Sequence, residues 1–295
     1  MVQPDDGHGT PDPATTELLR RLHEGGADAV EAVGRILPDV AAAVEAVTAR
    51  LRDGGRLLHV GAGTSGRLGV LDAAELPVTF GVREGLVVGL LAGGAEALSR
   101  DVAGAEDDKD AGTRDLDALG VSPRDAVVAS SATGTTPYVL GAVARAREVK
   151  ALTVGLSAVP GSSLLRTVDL PLLVDVGPEV PRGVTRLKAG TAQKLVLEML
   201  TTAVMARLGR VWRDEAVAMR PTSRKLRARA ARVVCDLLGL GRYDADNLLE
   251  AAGGDLPVAL VAGRWKTGPD EARRRLDALS GDVARALEEP PEGMP

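Results

Sequence analysis

Five short apolar runs recur along the first 180 residues, and amphipathic segments separate them. The runs cover residues 56–60, 86–92, 125–130, 151–156 and 170–176. Continuous apolar runs of this length are typical of parallel strands that are buried on both faces. Helix-like segments fit between them at 66–75, 94–104, 136–147 and 161–166. The alternation predicts an α/β domain whose parallel five-stranded sheet is flanked by helices.

Helical patterns also precede and follow this domain. Apolar residues recur at helical spacing in 16–23 and 27–52 before the first strand, and in 185–208 after the last. A basic stretch at 222–233 then leads into short helical pieces separated by Gly and Pro, which predict a compact module of three or four helices. We therefore expect four parts, which are a disordered tail (1–14), a sheet domain (15–225), a small helical C-terminal module (226–288) and a second tail (289–295).

Composition narrows the possible partners. A net charge of −5 does not favour a nucleic-acid partner, and no apolar run approaches the roughly 18 residues that span a membrane. The acidic, proline-rich start is the reverse of a signal peptide. One cysteine, Cys235, excludes an internal disulfide, and the three histidines lack the spacing of metal ligands. These features predict a soluble, cytoplasmic protein with no metal.

The first predicted strand ends in a glycine-rich turn, Gly61-Ala-Gly-Thr-Ser-Gly66. The first amides of a helix have no intrahelical acceptor, so such a turn can hold a phosphate. Candidate ligands here are Gly63, Thr64, Ser65 and Gly66. The pattern also matches a dinucleotide fingerprint, but that site needs an acidic residue at the end of the second strand. That strand is followed by Gly93-Gly94 instead.

A second hydroxyl-rich loop, Ser131-Ala-Thr-Gly-Thr-Thr136, follows the third predicted strand. Its candidate ligands are Ser131, Thr133, Gly134 and Thr136. Two such loops at strand ends suit a compact phosphosugar better than an extended dinucleotide. The alternative is that these hydroxyls only cap helices.

Two carboxylates are candidates for acid–base chemistry. Glu75 lies in the segment after the glycine turn, and Glu106 lies in the acidic run Gly104-Ala-Glu-Asp-Asp108. Either could equally be a solvated surface residue, because spacing alone does not separate the two interpretations.

Three longer blocks carry a resemblance to a known family. They are GAGTSGRLGVLDAAELPVTFG at 61–81, AGAEDD at 103–108, and VGPEV followed by TRLKAGTAQKLVLEML within 176–200. With these blocks the chain resembles the N-acetylmuramic acid 6-phosphate etherases, which share a sugar-isomerase (SIS-type) fold with the glucokinase regulatory protein. The resemblance implies a phosphorylated amino sugar as substrate and no metal or organic cofactor. It also implies a ubiquitin-associated-like C-terminal module.

The same resemblance implies roles for individual residues. Glu106 would be the base that removes the proton at C2 of the sugar, and Glu75 the acid that protonates the departing D-lactate. Lys188, in the third block, would contact the substrate. Sheets of this type usually pair, and the helix at 185–208 has more apolar positions than one face requires, so we expect a homodimer with part of the site near Glu106 facing the partner.

The chain departs from the family pattern in the second loop and before the third block. Thr135 stands where an arginine is usual, and Val184 where a serine is usual. Both changes remove donors that could hold a phosphate or carboxylate. Two alternatives to a lyase therefore stay open, a non-catalytic sugar-phosphate sensor and an aldose–ketose isomerase.

Overall fold

The computed structural model describes residues 12–291 and contains the predicted five-stranded parallel sheet. The strands are β1 (Leu57–Gly61), β2 (Val87–Leu91), β3 (Ala126–Ser130), β4 (Leu152–Ser157) and β5 (Leu170–Leu173). Their spatial order is β2-β1-β3-β4-β5, and every pair is parallel. The α/β fold class is confirmed. Most of the predicted tails, residues 1–11 and 292–295, lies outside the described residues.

Seven helices belong to the sheet domain. They are α1 (Pro13–Arg35), α2 (Leu37–Arg52), α3 (Gly63–Phe80), α4 (Lys109–Ala118), α5 (Pro137–Glu148), α6 (Ser163–Thr167) and α7 (Lys188–Arg207). Helices α1, α2, α3 and α7 cover one face of the sheet, and α4, α5 and α6 cover the other.

Alternate strand residues supply the two faces. In β3, Ala126 and Val128 join the cluster under α1, α2, α3 and α7, whereas Val127 and Ala129 join the cluster under α4, α5 and α6. All five β3 residues are buried. A strand covered on both faces must be apolar throughout, which explains why the runs in the sequence lack alternation.

Helix α1 differs from the two separate segments that the sequence predicts. It runs without a break through Gly25 and Gly26 and ends only at Arg35, before Pro38 in the first turn of α2. A side chain at Gly25 would lie 3.3 Å from the aliphatic stem of Lys188. Gly25 therefore permits close packing of α1 on α7 rather than ending the helix.

Helix α3 is longer than predicted at both ends. It starts at Gly63 rather than residue 66, and it continues through Pro77 to Phe80. Proline removes one helical hydrogen bond. Burial of Leu76 and Phe80 offsets this loss, and the helix ends at Gly81, which adopts a left-handed conformation.

The prediction of a helix over 94–104 is wrong. The segment contains one 3-10 turn at Gly94–Leu98, and a second 3-10 turn follows it at Ala105–Asp107. Gly93, Gly94 and Gly104 all have positive φ, which interrupts a regular helix. The helix in this part of the chain is α4, which the sequence analysis missed. The Asp108 carboxylate caps it by accepting from the amide of Ala111.

The C-terminal module has five helices rather than three or four. They are α8 (Arg224–Leu238), α9 (Arg242–Ala251), α10 (Leu256–Trp265), α11 (Pro269–Ala278) and α12 (Val283–Glu288). A two-stranded hairpin, β6 (Val211–Trp212) and β7 (Glu215–Ala216), precedes them. The module has its own apolar cluster, which also takes in Trp212 and Val217–Met219. The domain boundary at 225/226 stays a prediction.

Within residues 12–291, no helix combines the length and the apolar character that crossing a membrane requires.

Candidate active site

The two predicted ligand-binding loops begin side by side at the carboxyl edge of the sheet. Strand β1 lies between β2 and β3, so the chain leaves β1 toward one side and later returns on the other. Gly61 pairs with Leu91 of β2 and with Ser130 of β3. Open parallel sheets bind ligands where the strand order reverses in this way. The loops after β1 and β3 flank this reversal.

The turn after β1 is tighter than a loop of six residues. Only Ala62 separates β1 from α3, and a side chain at Gly66 would lie 2.5 Å from the carbonyl oxygen of Gly61. Glycine is therefore required where the helix approaches the strand. The amides of Gly63, Thr64 and Ser65 lie in the first turn and have no acceptor within the helix. They are therefore available at the start of α3, where the sequence predicts an anion site, and their binding of an anion stays a prediction.

Ser65 has a partner that the sequence analysis missed. Its Oγ donates to Oε1 of Gln193 in α7 over 2.8 Å, and both side chains are buried. The Nε2 atom of Gln193 is buried and has no partner among the described residues. A buried amide donor without an acceptor is costly, so Gln193 supplies hydrogen-bonding capacity beside the anion site. In the sequence, only the position of Gln193 within the third block pointed to this residue.

The second loop forms a cluster of hydroxyls. Ser131 Oγ lies 2.9 Å from Thr136 Oγ1 and 3.4 Å from Thr133 Oγ1, and it accepts from the amide of Gly134 at 3.0 Å. Gly134 has φ +66° and packs tightly against Ser162, so it needs to be glycine. Thr135 is exposed and donates to Thr133 Oγ1 over 3.1 Å. The structure therefore brings all four predicted residues of this loop together.

The start of α7 reaches the same edge, but its amides are already occupied. Glu179 accepts from the amides of Lys188 and Ala189 at 2.9 and 3.0 Å. The Lys188 ammonium donates to Asp28 of α1 over 2.8 Å and to the carbonyl of Pro178 over 3.3 Å. In the single chain Lys188 thus holds α1 against α7, and its role as a substrate ligand stays a prediction.

Helix α7 nevertheless adjoins the anion site. A side chain at Gly190 would lie 3.4 Å from Cγ2 of Thr64, one turn before Gln193 meets Ser65. Glu179 neutralises the start of α7, whereas the amides at the start of α3 have no such carboxylate partner among the described residues.

Glu106 lies close to the glycine turn. It belongs to the second 3-10 turn after β2 and lines a cavity of about 120 Å³ together with Ala62, Gly63 and Arg67. Arg67 donates to the carbonyls of Ala97 and Arg100, which fixes the segment after β2 against α3. Arg67 is therefore a second positioning residue that the sequence analysis missed. The Glu106 side chain is exposed in the single chain.

Glu75 lies away from this cavity. It is twelve residues after Gly63 in α3, which places it about 18 Å further along the helix axis at about 1.5 Å per residue. Its side chain is exposed on the stripe that also carries Leu71 and Val78, which are 47% and 37% exposed. The single chain does not bring the two candidate catalytic carboxylates together at the anion site.

A buried polar network fixes α3 to the sheet. The Asp72 carboxylate accepts from Nε2 of His59 in β1 at 3.0 Å and from Oγ1 of Thr201 in α7 at 2.9 Å. Because a carboxylate can only accept, His59 carries its proton on Nε2, and its buried Nδ1 has no partner among the described residues. The network holds α3 one turn before Glu75 and so fixes the direction in which that carboxylate projects.

Comparison with known proteins matches the chain to one family over most of its length. A family model described as the glucokinase regulatory protein N-terminal SIS domain matches residues 39–147. The chain is 54% identical to an N-acetylmuramic acid 6-phosphate etherase of Rubrobacter xylanophilus, over 93% of this chain and 91% of that protein. It is 46% identical to an enzyme of the same name from Salmonella agona, over 93% of each chain.

Solved structures agree on the fold. A phosphoheptose isomerase from Neisseria gonorrhoeae superposes with a TM-score of 0.51 and 18% sequence identity, over 65% of this chain and 99% of that one. At this identity the likeness concerns the fold of the sheet domain alone. The identity and coverage of the curated relatives establish the family: the chain belongs to the N-acetylmuramic acid 6-phosphate etherases.

Proposed function

We propose that the chain is a lyase that cleaves the lactyl ether of N-acetylmuramic acid 6-phosphate to give N-acetylglucosamine 6-phosphate and D-lactate. The observation that carries this proposal is the identity of 54% with a curated etherase over 93% of the chain. The geometry supports it, because an open helix start, a hydroxyl cluster and Glu106 lie at one edge of the sheet.

The phosphate binds at the start of α3. The free amides of Gly63, Thr64 and Ser65 donate to its oxygens, and the partial positive charge of the helix start favours the anion. The hydroxyls of Ser131 and Thr133 approach from the neighbouring loop. Thr135, which replaces the usual arginine, offers a hydroxyl but no positive charge, so phosphate binding depends more heavily on α3.

The reaction requires one base and one acid. The open-chain aldehyde at C1 acidifies the proton at C2, and the Glu106 carboxylate removes it. The electron pair forms the C2–C3 double bond as the C3–O bond to lactate breaks, and Glu75 donates a proton to the departing oxygen. Water then adds, with its hydroxyl at C3 and a proton at C2, and both carboxyl groups return to their starting states.

The separation of the two carboxylates leads us to propose a homodimer with a shared site. Glu75 lies about 18 Å along α3 from its own anion site, which is too far to act on a sugar held there. Leu71 and Val78 flank it at helical spacing and expose an apolar stripe. Leu18 and Leu19 of α1 are also exposed, at 47% and 60%. Pairing of two copies would bury these surfaces and place Glu75 of one copy beside Glu106 of the other.

A second candidate function is a non-catalytic sugar-phosphate sensor. Loss of the arginine at Thr135 and of the serine at Val184 favours it. The two functions share the phosphosugar site but differ in chemistry, so one assay separates them. The expectation of a cytoplasmic location stays a prediction.

The test is to incubate the purified chain with N-acetylmuramic acid 6-phosphate and to measure D-lactate with a D-lactate dehydrogenase. The lyase releases one lactate for each phosphosugar consumed. Saturable binding of the phosphosugar without any lactate would contradict the lyase and support the sensor.

A further inference from the structure

One arginine at the junction of the sheet domain and the helical module has no side-chain hydrogen-bond partner among residues 12–291. Arg210 follows the last turn of α7 and is partly buried. Its Nε atom is fully buried without a hydrogen-bond partner among the described residues. Asp282 contributes an opposite charge nearby, but the two side chains form no ion pair within the described chain. A partly buried guanidinium with unused donors is costly, and an anion would relieve that cost.

Arg210 lines a cavity of about 640 Å³ whose charge is strongly positive. The cavity is lined by one acidic residue, Asp282, and by four arginines, which are Arg52, Arg83, Arg210 and Arg285. Leucine and valine side chains from both halves of the molecule complete the wall. The cavity therefore combines a cationic part with an apolar part.

Two of these arginines are free to take a ligand. Arg52 already donates to the carbonyl of Arg207, and Arg285 pairs with Glu289. Arg83, in the turn between α3 and β2, is exposed. Burial lowers the pKa of Arg210 because it penalises the charged guanidinium; the negative charge of Asp282 opposes this effect only in part, and the positive charge of Arg220 adds to it.

We propose that this junction cavity binds a phosphate monoester of a small metabolite, with Arg210 and Arg83 holding the phosphate. A dianion suits two guanidinium groups, which bind phosphate oxygens through paired N–H donors. The remaining volume and its apolar wall accept the carbon skeleton. Because Leu51 and Val82 come from the sheet domain while Leu279 and Ser280 come from the module, the ligand would bridge the two. The site is thus separate from the edge of the sheet that carries the proposed active site.

Binding stoichiometry tests the proposal independently of catalysis. Equilibrium dialysis with radiolabelled N-acetylglucosamine 6-phosphate should find two molecules per wild-type chain. Ser65→Asp should retain only the junction site, and Arg210→Met only the site at α3. Arg274→Met is the matched control and should retain both, because Arg274 is exposed on α11, pairs with Glu271 and does not line the cavity.

Tryptophan fluorescence reports the junction site separately. The sequence has two tryptophans, Trp212 and Trp265, and both pack in the apolar cluster of the module. The phosphosugar should change the fluorescence of Ser65→Asp with saturation, whereas unphosphorylated N-acetylglucosamine should not. Arg83→Met, at an exposed position, should weaken this response at least tenfold even if Arg210→Met fails to fold. The proposal would be overturned if the wild-type chain bound only one molecule of N-acetylglucosamine 6-phosphate. It would also be overturned if Arg210→Met and Arg83→Met both still bound two molecules per chain.

Discussion

A shared active site predicts that two inactive variants restore each other. Glu75→Gln and Glu106→Gln should each be inactive as pure proteins, because each removes one of the two proton-transferring groups. When subunits of the two variants are exchanged in equal amounts, about half of the dimers are hybrids. In each hybrid, one site combines the intact Glu106 of one copy with the intact Glu75 of the other. The mixture should therefore recover about one quarter of the wild-type rate per chain.

The expectation of a shared site follows from the helix geometry, which places Glu75 about 18 Å along α3 from its own anion site. If both carboxylates instead acted within one chain, no hybrid would be active. Mixing wild type with the double variant gives the reciprocal control, since hybrids would then be inactive and the rate would fall to about one quarter rather than one half. D-lactate release after subunit exchange measures both mixtures. A mixture of single variants that stays inactive, although native mass spectrometry shows hybrids, would refute a shared site.

Three further substitutions test the parts of the site. Ser65→Asp should remove one of the two phosphosugar sites that calorimetry finds in the wild-type chain and leave only the junction site, because it places a negative charge at the start of α3; an unchanged stoichiometry would mean that the anion site lies elsewhere. Gln193→Leu should raise the KM for the phosphosugar about tenfold with little change in kcat, since it removes a partner of Ser65 rather than a reacting group. Steady-state kinetics that show only a fall in kcat would contradict this expectation. Thr201→Val should lower the free energy of unfolding by about 1.5–3 kcal/mol, because it removes a hydrogen bond to the Asp72 carboxylate. The control variant Thr202→Val changes an exposed neighbour and should alter the free energy of unfolding by less than about 0.5 kcal/mol. Equal urea midpoints for these two threonine variants would show that the network contributes nothing.

The sequence predicts the sheet well because its signal is local. Strands buried on both faces need continuous apolar runs, and all five strands overlap the runs that indicated them. Both hydroxyl loops follow strands β1 and β3, so their positions at one edge follow from parallel pairing alone.

Helix limits were harder to predict because they depend on contacts between distant residues. Gly25 continues α1 because it packs on Lys188, and Pro77 is tolerated in α3 because Leu76 and Phe80 are buried around it. Neither contact can be seen in a local pattern.

The candidate site was only partly predictable for the same reason. The pairing of Ser65 with Gln193 spans 128 residues, and that of Lys188 with Asp28 spans 160. The separation of Glu75 from the anion site becomes visible only once α3 is known to be one continuous helix from Gly63 to Phe80. Sequence blocks identify these residues as a set, whereas the structure shows which of them meet within one chain.

Proton exchange at C2 tests the central claim most directly. In deuterated buffer, the wild-type chain should release D-lactate from N-acetylmuramic acid 6-phosphate and incorporate solvent deuterium at C2, as followed by NMR. Glu106→Gln should neither release lactate nor incorporate deuterium, and Glu75→Gln should lose lactate release more severely than exchange. The control variant Asp110→Asn changes an exposed carboxylate in the first turn of α4 and should behave as wild type. Wild-type protein that binds the phosphosugar but neither exchanges the C2 proton nor releases lactate would contradict the account.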